Sequence, residues 1–265
     1  MNKTLLLPIL FTGCAEINKL KDDLSALTNS FVVSTFYIGT EEFSDDRVDL
    51  STIEEMQGTQ AVTYLVSAEV MDGSAPSPVT GAIVDISTDS GTSASFAEDA
   101  GGLYRANEDD GLSYQDGELV TVNANDGEDH TISVVAPIAP LFDIADEHPS
   151  NTELSIDISG QDFDSALVFV AHFPSGQIVY SNKPADFTEL YDFAYPDETS
   201  TEVSVTIPAD SFSEDGIYVI SLGGVVAGEA DDMDNVNTAL SSVLATKMAF
   251  DVVCVPVCLP QEIEE

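Results

Sequence analysis

Cysteine, histidine and clustered carboxylate are the residue types in this sequence that admit chemistry, and each group is small. Of three cysteines, Cys14 ends the run Phe11-Thr12-Gly13-Cys14, while Cys254 and Cys258 flank Val255-Pro256-Val257. An even pair of thiols in an oxidising compartment points to a disulfide. Residues four apart in a straight strand lie about 13 Å from each other, beyond a disulfide's reach, so Pro256 has to mark a turn if Cys254 and Cys258 are joined. The other readings of the pair fit worse. A soft-metal site lacks further ligands nearby, and a redox pair is normally written Cys-x-x-Cys.

The three histidines, His130, His148 and His172, share no ligand spacing such as His-x-x-x-His or His-Glu-x-x-His. His172 ends an apolar run and reads as packing; His148 precedes Pro149 and reads as solvated loop. No Gly-x-Ser-x-Gly elbow or glycine-rich nucleotide loop occurs, and Pro174-Ser175-Gly176 reads as a hairpin turn. A non-enzymatic role is the expectation. Calcium is the one cofactor the sequence admits, because hard cations need only clustered oxygens. Glu229, Asp231, Asp232, Asp234, Asn235 and Asn237 crowd one stretch, with Asp231, Asp232 and Asp234 as candidate ligands. That stretch, between Gly223 and Ser242, reads as a long loop, and a calcium-dependent or carbohydrate-binding site there is the alternative function. The cluster lacks EF-hand spacing, so a merely solvated acidic loop remains open. Asp162 with Asp164, and Glu108 with Asp109 and Asp110, form smaller acidic groups.

Seven Lys and Arg against 48 Asp and Glu leave a formal charge of −41. Such a surface repels phosphate backbones, so no nucleic-acid partner is expected. Its simplest use is solubility where salt screens the self-repulsion. Hydrophobic residues make up 43% of the 265, enough to build real cores. With no Trp, those cores fall to Val, Ile, Leu, Phe and Tyr, most of which favour pleated strands.

The N-terminus reads as an export signal: Lys3, then Leu5-Leu6-Leu7-Pro8-Ile9-Leu10-Phe11, then small residues. The apolar run is too short to span a bilayer, which needs about 20 residues. Phe11-Thr12-Gly13-Cys14 resembles the lipobox of bacterial lipoproteins, with Phe11 where leucine is commoner. The resemblance implies cleavage after Gly13 and lipid on Cys14, with several acyl chains giving stable anchoring. Ala15, where the family's inner-membrane retention signal has Asp, implies the outer membrane. The expected partners are therefore the membrane, through the lipid, and an unnamed envelope protein or surface ligand.

These residues have to be positioned by an all-β architecture. After a signal peptide at 1–13 and a lipid anchor with a short helix at 14–30, two tandem β-sandwiches are expected at 31–136 and 152–253. A linker at 137–151 joins them, and a tail follows at 254–265. Ile17, Leu20, Leu24 and Leu27 supply the helical spacing, with Lys19 and Lys21 facing either lipid head groups or the first domain. Strands are predicted at 31–38, 61–71, 79–87, 118–124 and 131–136, punctuated by pairs such as Gly101-Gly102 and Asp116-Gly117. A second series is predicted at 152–158, 166–172, 177–181, 201–207, 216–222 and 243–253. Between them, Pro137, Pro140 and Pro149 forbid regular ladders.

Two stretches carry family resemblances. Val79-Thr80-Gly81-Ala82-Ile83-Val84, Asp99-Ala100-Gly101-Gly102-Leu103-Tyr104 and the strand after Gly117 resemble carboxypeptidase-regulatory, or transthyretin-like, sandwiches over 62–136. Val205-Thr206-Ile207-Pro208, followed by Asp215-Gly216-Ile217-Tyr218, resembles the late strands of immunoglobulin-like domains. Both resemblances imply structural, adhesion or interaction modules without catalysis.

If the charge is an adaptation to salt, the melting temperature will rise steeply between low and molar NaCl. A melting temperature indifferent to salt would refute that reading.

Overall fold

The computed structural model describes residues 30–48, 58–68, 77–125, 127, 129–160, 162–173, 175–183, 203–229 and 241–256. Over these residues the protein is an all-β sandwich structure. The first half of the chain supplies β1 (Ser30–Thr40), β2 (Gln60–Ala68), β3 (Ser77–Pro78), β4 (Ile83–Thr88), β5 (Ser93–Ser95), β6 (Ala97–Ala100), β7 (Leu103–Asn107), β8 (Leu119–Asn125) and β9 (Asp129–Val135). The second supplies β10 (Leu154–Ile158), β11 (Ser165–Phe173), β12 (Gln177–Ser181), β13 (Val203–Ile207), β14 (Gly216–Glu229) and β15 (Ser242–Val255). Among the described residues the only helical elements are 3-10 turns at Glu108–Asp110 and Ala209–Phe212. The helix expected within 14–30 lies outside them.

The two halves meet within one sheet. Nine strands form it, in the order β12-β11-β14-β15-β1-β2-β7-β6, with β3 also on β2. At its centre β15 pairs with β1 in parallel, from Ser34↔Ser242 to Thr40↔Met248, while antiparallel neighbours flank both. The tandem units are thus fused side by side through shared hydrogen bonds.

Two smaller sheets cover one face of this sheet. Against the first half lies β5-β4-β8-β9, whose strict alternation sends Val120, Val122, Ala124, Ile132 and Val134 inward onto Val33, Tyr37, Leu65 and Tyr104. Against the second half lies β10-β13, where Ile156, Ile158, Val205 and Ile207 meet Val168, Val170, Ile220 and Leu222. One strand serves both cores: β15 gives Val243 and Ala245 to the first, and Val253 and Val255 to the second. Its alternate residues Leu244, Met248 and Val252 lie in a third apolar cluster on the opposite face, with Phe36, Phe169, Val219, Phe43 and Val48. Burial on both faces explains the nearly continuous apolar run from Ser242 to Val255.

The segment between the halves carries no strand, but it is not a free tether. Leu141 exchanges two backbone hydrogen bonds with Ser159, and residues 146–148 run along the end of β15. A second difference from expectation concerns the loop between Gly223 and Ser242. The β14–β15 ladder continues through it to Glu229↔Ser242, so residues 223–229 are strand. Its glycines, Gly223, Gly224 and Gly228, are there for close approach. At Gly228 a Cβ would run into the carbonyl oxygen of Ser133 and the side chain of Val134, where β9 crosses β14.

Gly228→Ala is therefore expected to cost about 1–3 kcal/mol through overpacking against backbone. The measurement is the urea midpoint, which should fall at unchanged slope.

Candidate functional site

Three chain segments converge on Cys254, the penultimate residue of β15. Cys254 is disulfide-bonded and 1% exposed. Its backbone N–H and C=O are both taken by one segment: Cys254 N–H donates to Asp146 O at 2.9 Å, and His148 N–H donates to Cys254 O at 2.8 Å. Arg47 reaches over from the first half. Its Nη1 lies 3.9 Å from Cys254 Sγ, and its Nε and Nη2 grip Asp45 at 2.9 and 2.7 Å. Asp146 sits 3.6 Å from the same Nη1. The guanidinium holds the Asp45 carboxyl below its ordinary range, chiefly through the side-chain hydrogen bonds. Beyond Cys254 the Val255–Pro256 bond is cis. Cys14 and Cys258 lie outside the described residues. The arrangement fastens the end of β15 to the first half and to the segment between the halves.

Sequence reasoning missed Arg47. The available signal was scarcity, because each of seven cations among 48 acids has an unusual wealth of partners. Lys247 on β15 bonds both oxygens of Asp116, at 2.7 and 2.9 Å, and Arg105 pairs with Asp99 at 3.0 Å.

The histidines are dispersed through the fold. His130 takes an inward position on β9. His148, expected in solvent, is 7% exposed, with Nε2 2.8 Å from Thr152 O and its ring edge-on to Phe212. A solvated reading failed because the segment carrying it is docked against β15.

His172 has the partners of a nucleophilic triad in name only. Ser175 Oγ and Glu214 Oε2 both approach the same nitrogen, Nδ1, at 3.3 and 3.7 Å. A relay needs them on opposite nitrogens. Nε2 is buried without a hydrogen-bond partner among the described residues, and a Cβ on Gly216 would strike it. Ser175 meanwhile donates to His172 O at 2.9 Å and accepts from Gln177 N–H, closing the β11–β12 turn.

The smaller acidic groups are likewise engaged with backbone. Glu108 Oε1 accepts from Thr59 N–H at 2.8 Å, and Asp110 closes a capping box with Asn107. Asp164 Oδ2 accepts from Ala227 N–H at 2.7 Å across the β11–β14 pair. Desolvation nevertheless raises the Asp164 carboxyl above its ordinary value, the hydrogen bond only partly opposing it. No group of three or more His, Cys, Asp or Glu among the described residues is placed to hold a metal ion. Asp231, Asp232 and Asp234, the candidate calcium ligands, lie outside those residues.

Comparison with known proteins gives no family assignment. No family model matches the chain, and no curated protein does. Among solved structures, the chain is similar to the native conformation of E. coli alpha-2-macroglobulin at 14% identity and a TM-score of 0.24. The match covers 85% of this chain but spans only 14% of that one. The IG1+IG2 structure of DIP-gamma matches at 8% identity and a TM-score of 0.21, covering 86% of this chain and 99% of that one. Dpr2 Ig1-Ig2, solved in complex with DIP-Theta Ig1-Ig3, matches at 7% identity and a TM-score of 0.21, covering 83% and 98%. Likeness at this level carries no argument, and the architecture rests on the sheets described above.

Asp164 generates a prediction with a definite sign. Its folded carboxyl titrates above the unfolded one, so ionisation penalises the fold at neutral pH and the penalty lifts as pH falls through the folded value. Asp164→Asn keeps an acceptor for Ala227 N–H without the charge. Its melting temperature should exceed wild type by a small margin at pH 7, and the margin should vanish under acid. A loss of stability at pH 7 would mean that the charged acceptor outweighs its desolvation.

Proposed function

We propose that the protein is a non-enzymatic, lipid-anchored component of a bacterial envelope, acting as a structural, adhesion or interaction module. The observation that carries the reading is how the chemically capable side chains among the described residues are used. Cys254 is in a disulfide, His148 and Glu108 hold backbone, and His172 presents both of its acid and hydroxyl neighbours to one nitrogen. These groups stiffen a fused pair of sandwiches, which suits presenting a fixed surface.

The envelope address rests on Phe11-Thr12-Gly13-Cys14, and Ala15 favours the outer membrane. A disulfide accords with an oxidising compartment. The acidic surface suits a protein tethered above anionic lipid, since only its anchor then needs to touch the bilayer.

Intact mass and membrane partition after expression in a bacterial host test this reading. Wild type should lose residues 1–13, gain acyl chains and partition with membranes, whereas Cys14→Ala should remain soluble and unacylated. A soluble wild-type product that keeps residues 1–13 would overturn it.

A further inference from the structure

Five large apolar side chains are exposed to solvent among the described residues; one, Ile83, stands apart beside Asn125 at the far end of the β4–β8 pair, and the other four fall within residues 119–141. Leu119, Val135, Ile138 and Leu141 are 45%, 52%, 39% and 69% exposed. Leu119 and Val135 are direct partners across the β8–β9 pair. Further along the same outward face the positions are Thr121 and Ser133, Asn123 and Thr131, then Asn125 and Asp129, as expected for a solvated sheet. Ile138 and Leu141 follow three and six residues past Val135 on the segment leaving β9, and a Cβ at Gly160 would meet the Ile138 side chain and the Leu141 backbone.

The strip is held rigidly. Ala136, Pro137, Ala139 and Pro140 are buried around Ile138, and the Tyr114 hydroxyl donates to Pro137 O at 2.8 Å. Leu141 is fixed by its two hydrogen bonds to Ser159. Surroundings are acidic at both ends. Asp89 N–H bonds Leu119 O at 3.2 Å, and exposed Asp143 and Asp162 stand two residues from Leu141 and Gly160. The entire stretch 106–182, which contains the strip, has no Lys or Arg.

We propose that this strip is the docking surface for a cationic polypeptide that places apolar side chains over Leu119, Val135, Ile138 and Leu141 and basic ones over the acidic rim. The partner chemistry follows from charge complementarity. A second copy of the chain brings another −41 to the contact, and an anionic lipid surface is repelled by the same rim. A rigid apolar strip with a charged border is the ordinary anatomy of a protein-binding patch, and its pre-organisation lowers the ordering cost of binding. The proposal rests on the interaction-module reading and names the partner's chemistry.

The test uses two fluorescent peptides of about 12 residues, one alternating Lys with Leu and one alternating Lys with Ser, titrated at moderate salt. Wild type should bind the Lys-Leu peptide at least about tenfold more tightly than the Lys-Ser peptide. The pair Leu119→Ser and Leu141→Ser should abolish that difference while leaving Lys-Ser binding and the melting temperature unchanged. Equal preference in wild type and variant would overturn the proposal. So would sedimentation showing a wild-type dimer that the variant loses, which would assign the strip to a second copy. Neither result touches the acylation of Cys14, so this surface and the envelope reading fail separately.

Discussion

The parallel pairing of β15 with β1 is the interaction on which the rest of the structure depends. Seven residue pairs, Ser34↔Ser242 to Thr40↔Met248, form the seam between five strands from the first half of the chain and four from the second. The ladder is prolonged at one end by Glu41 N–H to Met248 O, and braced at the other by Val33 N–H to Ser241 Oγ. A strand in that position meets apolar neighbours on both faces. β15 accordingly alternates between two different interiors, contributing valines to both sandwich cores on one side and Leu244, Met248 and Val252 to a third cluster on the other. Neither half has a complete interior without it.

Electrostatics organises the same seam. In a chain this acidic, a cation is most useful where two elements must be held against mutual repulsion. Lys247 lies on β15 and binds Asp116, just ahead of β8, tying the smaller sheet to the central strand. Arg47 stands between Asp45, Asp146 and the sulfur of Cys254, so the far end of β15 is tied to the first half and to the segment between the halves. Both pairs are partly shielded from solvent, which leaves them less screened than exposed pairs. Remaining carboxylates can stay in water, where their repulsion is diluted by salt.

Much of this was legible in the sequence, and the failures have physical causes. β8 and β9 alternate apolar with polar, and their buried and open positions follow that period. β5 and β6 were missed because Ser93-Ala94-Ser95 and Ala97-Glu98-Asp99-Ala100 hold almost no apolar signal; their pairing with β4 and β7 makes them strands. The strand expected to end at Leu222 runs on to Glu229 because its small residues pair with β15 and Gly228 lets β9 pass, a fit to neighbours that no local apolar pattern signals. The continuous apolar run of β15 announces burial on two faces but does not name its neighbour. Cys254 was visible from composition, while Arg47 and the docked segment at 146–148 depend on contacts with Cys254 across about 200 and about 100 residues, beyond any local pattern.

The seam also dictates an order of events. Val33 and Ser241, joined by a hydrogen bond, are 208 positions apart. Contacts of such sequence separation carry a large loop-closure cost and form late, so non-local topologies of this kind fold slowly. During synthesis β1 and β2 emerge with one side of their sheet unpaired until β15 arrives. An open edge in that interval is a template for pairing with other chains. This central strand is thus made after the other described strands of its sheet, and the first half of the molecule spends its early life incomplete.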